Sequence, residues 1–150
     1  MREIEFRAKS KFDKDNKWVY GDLIQGENSY ISTKEEFYSA VVGLGGHLST
    51  FVELVDKKTI GQYTGLKDKN GTKIFEGDIA KDEFGRIMKV IFKNNWCKFQ
   101  FELINITGDK WTNNFRYADL TDWFNESVDL KPEVIGNIYD NPELLEKVEG

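Results

Sequence analysis

The segment Trp96-Cys97-Lys98-Phe99-Gln100-Phe101-Glu102-Leu103 constrains the fold most tightly, because it alternates almost without fault. A two-residue period belongs to a half-buried β-strand. It predicts Cys97, Phe99, Phe101 and Leu103 on one face and Trp96, Lys98, Gln100 and Glu102 on the other. The same period recurs in Ile4, Phe6 and Ala8, which alternate with Glu3, Glu5 and Arg7, and in Arg86 to Phe92. Strands are also expected at Trp18-Val19-Tyr20, Leu48 to Val55, Ile60 to Leu66, Ile79 to Lys81 and Val134 to Tyr139.

Turn chemistry separates these runs about every ten residues, the spacing of an all-β sandwich or barrel. Asp13-Lys14-Asp15-Asn16 is a polar turn closing an N-terminal hairpin. Asn70-Gly71 predicts a hairpin of type I′, whose two central residues both need positive φ. Glu76-Gly77-Asp78 and Asn94-Asn95 mark further turns. At the C-terminus Asn141 can cap a short helix with Pro142 in its first turn and Leu144, Leu145 and Val148 on its apolar side. Residues 21–47 stay undecided: Phe37-Tyr38 reads as strand, while Lys34-Glu35-Glu36 reads as the start of a short helix. Periodicity is also poor over 105–131. The expected fold class is all-β and mainly antiparallel, a small barrel- or sandwich-like domain over residues 1–150. A split into two β subdomains near residues 58–62 is the alternative.

Aromatic residues make up 14% of the chain, with 11 Phe, 6 Tyr and 4 Trp, and large rings suit a β core in a short chain. The net charge of −5 supplies no general field for a polyanion, so duplex nucleic acid is not the default partner. The basic residues crowded into the first 17 positions are interleaved with Glu3, Glu5, Asp13 and Asp15, as on a mixed, solvated hairpin. One cysteine, Cys97, allows no intrachain disulfide and reads as a small apolar group on a strand. The N-terminus has no apolar stretch of signal-peptide length, and no run approaches the ~20 apolar residues of a membrane span. Cytoplasmic location without a membrane partner is the expectation.

Three segments resemble the YopX family of phage and prophage proteins. They are Met1 to Ala8; Gln62-Tyr63-Thr64-Gly65-Leu66-Lys67-Asp68-Lys69-Asn70-Gly71 continuing through Ile74-Phe75-Glu76-Gly77-Asp78-Ile79; and Val134 to Tyr139 with Asn141-Pro142-Glu143-Leu144-Leu145. They fall in the same order as in the family and span nearly the whole chain. One departure is Lys9, where the family often carries an aromatic residue. The resemblance implies an all-β protein of phage or prophage origin working inside a bacterium, and it implies no reaction. The family-like residues also read well as scaffold: Gly71 and Gly77 serve turns, Asp78 can bond backbone, and Gly136 permits close strand packing.

The sharper chemical readings are weak. His47, the sole histidine, would need partners such as Ser49, Glu53 or Asp56 to hold a metal or act in a triad. Gly43-Leu44-Gly45-Gly46 lacks the Lys-Ser/Thr ending of a phosphate loop. Glu76 and Asp78, with Asp82-Glu83, read as solvated turn carboxylates. No catalytic, metal or cofactor site is therefore assigned.

The aromatic surplus remains. Trp96, Trp111, Phe115, Tyr117, Trp123 and Phe124 lie among Lys98, Lys110 and Arg116. Trp96, Lys98, Trp111, Phe115, Arg116, Tyr117 and Trp123 form the candidate interaction surface. Interfaces are enriched in Trp, Tyr and Arg, so the expected activity is non-enzymatic binding of a host or phage protein, or self-assembly into a homo-oligomer. The alternative is single-stranded nucleic acid stacked on those rings.

Overall fold

The computed structural model describes residues 1–33, 52–104, 117–124 and 130–146. Among them are eleven strands and several 3-10 turns, and no α-helix. The chain divides into two compact units, Met1–Gly65 and Leu66–Gly150.

The first unit is an antiparallel meander. Strand β1 (Phe6–Lys9) pairs with β2 (Trp18–Gln25), β2 with β3 (Ser29–Ser32), and β3 with β4 (Val52–Leu54). Strand β5 (Gly61–Lys67) pairs with the free side of β1. Because register sets which side chains share a face, Ala8, Ile31 and Val55 meet in a dry cluster. Phe6, Val19, Leu23 and Ile60 pack around it. Ile4, expected to join this face, lies before β1 and is exposed. The turn at Asp13 is as expected: its carboxylate accepts the Asp15 N–H at 2.9 Å, and Asn16 takes positive φ.

In the second unit β6 (Lys73–Phe75) returns from β5. The remaining strands are β7 (Asp78–Lys81), β8 (Ile87–Lys93), β9 (Lys98–Leu103), β10 (Tyr117–Asp119) and β11 (Glu133–Asn137). They form an antiparallel sheet in the order β10-β9-β8-β7-β11, while β6 ends the other sheet, ordered β4-β3-β2-β1-β5-β6. The core of this unit is Ile74, Ala80, Met88, Val90, Phe101, Leu120 and Trp123. Phe101 and Trp123 meet edge to face at 5.3 Å.

Four local expectations need correction. The Asn70-Gly71 hairpin is a type I turn followed by a left-handed Gly71, not type I′. Gly71 N–H bonds the Asp68 carbonyl at 3.0 Å, Asp68 N–H bonds the Thr72 carbonyl at 2.8 Å, and Asn70 has no positive φ. Asp68 is the reason: its Oδ1 accepts from the N–H groups of Asn70 (2.8 Å) and Thr72 (2.9 Å) and sets the turn from outside the Asn-Gly pair. Cys97 is not a strand residue. It ends the 3-10 turn Asn94–Trp96 in left-handed conformation and is exposed.

Asp78 follows the turn, as the first residue of β7, and is not solvated; it is 1% exposed and accepts the Phe75 N–H at 2.7 Å. Among the described residues the expected C-terminal helix is a single 3-10 turn, Pro142–Leu145, and Val148 lies outside them. Asn141 does not cap it, because its Oδ1 accepts from Asn137 N–H at 3.3 Å and lies where a Cβ on Gly136 would stand. The readings placed on residues 34–51, including the 48–51 part of the expected strand, lie outside the described residues.

Candidate interaction groove on the β9–β10 face

Strand alternation aims Phe99, Phe101 and Leu103 toward the second core and turns Lys98, Gln100 and Glu102 to the opposite face. Antiparallel register then sets Tyr117 opposite Glu102 and Asp119 opposite Gln100. On the other side it sets Lys89 opposite Glu102 and Lys93 opposite Lys98. The 3-10 turn before β9 leaves Trp96 59% exposed beside this row. The result is an open groove of roughly 670 Å³ lined by Trp96, Lys98, Gln100, Tyr117, Ala118, Asp119 and Asp122.

Among the described residues the groove's lining is acidic rather than basic, with Lys98 against Asp119 and Asp122. Lys98 Nζ lies 2.6 Å from Asp119 Oδ1, and the same oxygen accepts from Gln100 Nε2 at 2.7 Å. The hydrogen bond from Lys98, then that from Gln100, holds the Asp119 carboxyl below the usual aspartate range. Lys98 also stands 5.4 Å from the Trp96 ring centroid, and the Lys93 ammonium sits 3.5 Å over the ring of Tyr117. Next along the face, Lys89 pairs with Glu102 at 2.9 Å.

Of the sequence candidates, Trp96, Lys98 and Tyr117 come together here. Trp123 does not: it is 6% exposed, packs on Phe101, and points its indole N–H at Asp82 Oδ2 (3.4 Å). Phe124 likewise packs against the core. Trp111, Phe115 and Arg116, with Lys110, lie outside the described residues. Sequence reasoning overlooked Asp119 and Asp122. Both fall in the aperiodic segment, where nothing local signals that a strand will carry them beside Trp96.

His47, Ser49 and the Gly43–Gly46 stretch are outside the described residues. Two residues set beside His47 have structural work of their own: the Glu53 carboxylate accepts from the Ser10 hydroxyl, and Asp56 caps the 3-10 turn Lys57–Thr59 through Lys58 N–H. Asp82 is buried and shapes a hairpin, accepting from Phe84 N–H at 3.0 Å and Arg86 N–H at 2.9 Å. Among the described residues no group of three or more His, Cys, Asp or Glu is placed to hold a metal ion, and no helix is long and apolar enough to cross a membrane.

The family model described as YopX protein matches residues 5–146. The chain belongs to the YopX family. Among solved structures, this YopX chain is similar to protein EF1440 from Enterococcus faecalis, at 24% identity over 97% of this chain and 100% of that one, with a TM-score of 0.43. Comparison with curated proteins finds no match. Within the YopX chain, the segment Gln62–Ile79 supplies most of β5, all of β6 and the start of β7 with their two turns. Its buried carboxylates, Asp68 and Asp78, are bound to backbone N–H groups.

Proposed function

We propose that this YopX-family chain is a non-enzymatic phage or prophage accessory protein, working in the bacterial cytoplasm by binding another protein or a second copy of itself. The observation that carries this reading is the convergence of exposed Trp96, Tyr117 and the Lys98–Asp119 pair in one open groove on a sheet face. An aromatic anchor beside a satisfied charge pair is the composition of a protein interface. A single strand of nucleic acid would find the same rings. Its phosphates would also meet Asp119 and Asp122, and the groove's lysine is already engaged by a carboxylate.

The test is a low-salt capture of the tagged protein from host cells after prophage induction, with proteins and nucleic acid assayed in the same eluate. A stoichiometric protein is expected that survives nuclease treatment and is lost from the Trp96→Ala variant. Trp96 is mostly exposed, so the variant is expected to fold with a stability change within about 0.5 kcal/mol. Nucleic acid released by salt, with no such protein, would move the groove to the single-strand reading. A monomer that retrieves neither would remove both.

A further inference from the structure

The loop between β5 and β6 holds the chain's one Asn-Gly pair, Asn70-Gly71. Asparagine is chemically labile, and most so before glycine, where no side chain shields the following backbone nitrogen from the asparagine Cγ. Both residues are exposed, and nothing stands within 4 Å of where a Cβ on Gly71 would lie, which leaves the pair open to water. The Asn70 amide is lightly held, with Nδ2 3.4 Å from Glu133 Oε1.

The loop backbone works against that lability. Attack on Cγ needs a rotation about the Asn70 Cα–C bond that swings the Gly71 nitrogen beneath the side-chain amide. The third residue of a type I turn is instead fixed with ψ of about 0°. Asp68 does the fixing: its Oδ1 accepts from Asn70 N–H at 2.8 Å and Thr72 N–H at 2.9 Å, and its carbonyl accepts from Gly71 N–H at 3.0 Å. Three successive N–H groups, the attacking one among them, thus end on one residue. That residue is 4% exposed, and its Oδ2 is anchored to Val134 N–H in β11 at 3.0 Å.

From this we infer that Asn70 is a site of spontaneous deamidation, held in check by the Asp68 clamp and released when the loop opens. On opening, the Gly71 nitrogen attacks Asn70 Cγ. The N–Cγ bond forms, the Cγ–Nδ2 bond breaks, and the Nδ2 amino group departs with the Gly71 amide proton as ammonia. Water then opens the resulting succinimide at either carbonyl, leaving aspartate or isoaspartate. Aspartate sets a second carboxylate beside Glu133, where the Asn70 amide now donates. Isoaspartate lengthens the loop backbone by a methylene, which no longer fits the Asp68 clamp.

The test follows the mass gain of Asn70 conversion by peptide mapping, in the full chain and in a free peptide of the sequence Leu66 to Phe75, both in mildly alkaline buffer. The folded chain is expected to convert at least about tenfold more slowly than the peptide, because each event waits on local opening. Asp68→Ala should raise the rate toward that of the peptide. Asp68→Asn, the milder change, keeps an oxygen but loses the charge, and its rate should fall between those of wild type and Asp68→Ala. Asp82→Ala removes the carboxylate that gathers Phe84 and Arg86 N–H groups in the other hairpin, so it reports what a general loss of stability does. Its Asn70 is expected to convert at close to the wild-type rate. A wild-type rate equal to that of the peptide, Asp68 variants no faster than wild type, or an Asp82→Ala rate as high as that of Asp68→Ala would each overturn the inference.

Discussion

Asp119 takes two donors on one oxygen, one of them a cation, and its ionised form is favoured for that reason. A carboxyl whose pKa is lower in the folded than in the unfolded chain adds stability above its unfolded pKa. That contribution is lost as pH falls through the lower, folded value. Lys98→Met removes the largest cause, so the Asp119 titration is expected to move up toward the ordinary aspartate range; the carboxyl-carbon NMR shift against pH reads it directly. An unchanged midpoint would mean that Gln100 alone holds the charge. Glu133 follows the same logic through Lys69, which lies 2.6 Å away. Single residues were also where sequence reading went astray. Cys97 keeps the alternation on paper, but the backbone turns left-handed there, so its thiol faces outward with Sγ 3.4 Å from the Asn94 carbonyl. An apolar–polar pattern reports side chains and is blind to the φ that ends a turn.

Two hairpins of one construction recur in the second unit. Asp68 to Thr72 and Asp82 to Arg86 each pair the flanking backbone, run a three-residue loop, and end it on a glycine of positive φ, Gly71 or Gly85. In each, one aspartate oxygen gathers two loop N–H groups. The second oxygen reaches out of the loop, to Val134 N–H at 3.0 Å from Asp68 and to Arg86 Nε at 2.5 Å from Asp82. The loop glycine is therefore the lesser part of the device. Gly71→Ala meets open space and is expected to cost about 1 kcal/mol for the left-handed backbone alone. Asp68→Ala strands three backbone donors and is expected to cost roughly 2–3 kcal/mol. Urea unfolding of the two variants checks the ranking, and a reversed order would mean that water replaces the carboxylate at little cost. The turns were visible in the sequence as Asp, Asn and Gly clusters. Their type was not, since it depends on which acceptor wins the loop N–H groups.

For the molecule as a whole, the acidic net charge and the carboxylates of the groove act in the same direction. Duplex DNA labelled for anisotropy is expected to show no binding even at low ionic strength, where any electrostatic attraction would be strongest. A salt-sensitive rise would reveal a basic face that the charge total conceals. Placement of the core was partly legible. Ala8 and Phe101 are buried as their alternation foretold, and the β5–β6–β7 run follows the segment that carries the family resemblance. The aromatic residues were not separable in the same way: Trp96 is exposed and Trp123 is buried, although both looked equally available. The amino-acid order by itself determined where the strongly alternating strands, such as β1, β8 and β9, and the Asp-, Asn- and Gly-rich turns fall, because alternation and turn propensity act over a few neighbouring residues. Only the tertiary structure decided the groove, because pairing β10 with β9 brings Asp119 to Gln100 across 19 residues of chain. A register of hydrogen bonds between distant strands, and not any local pattern, assembles that site.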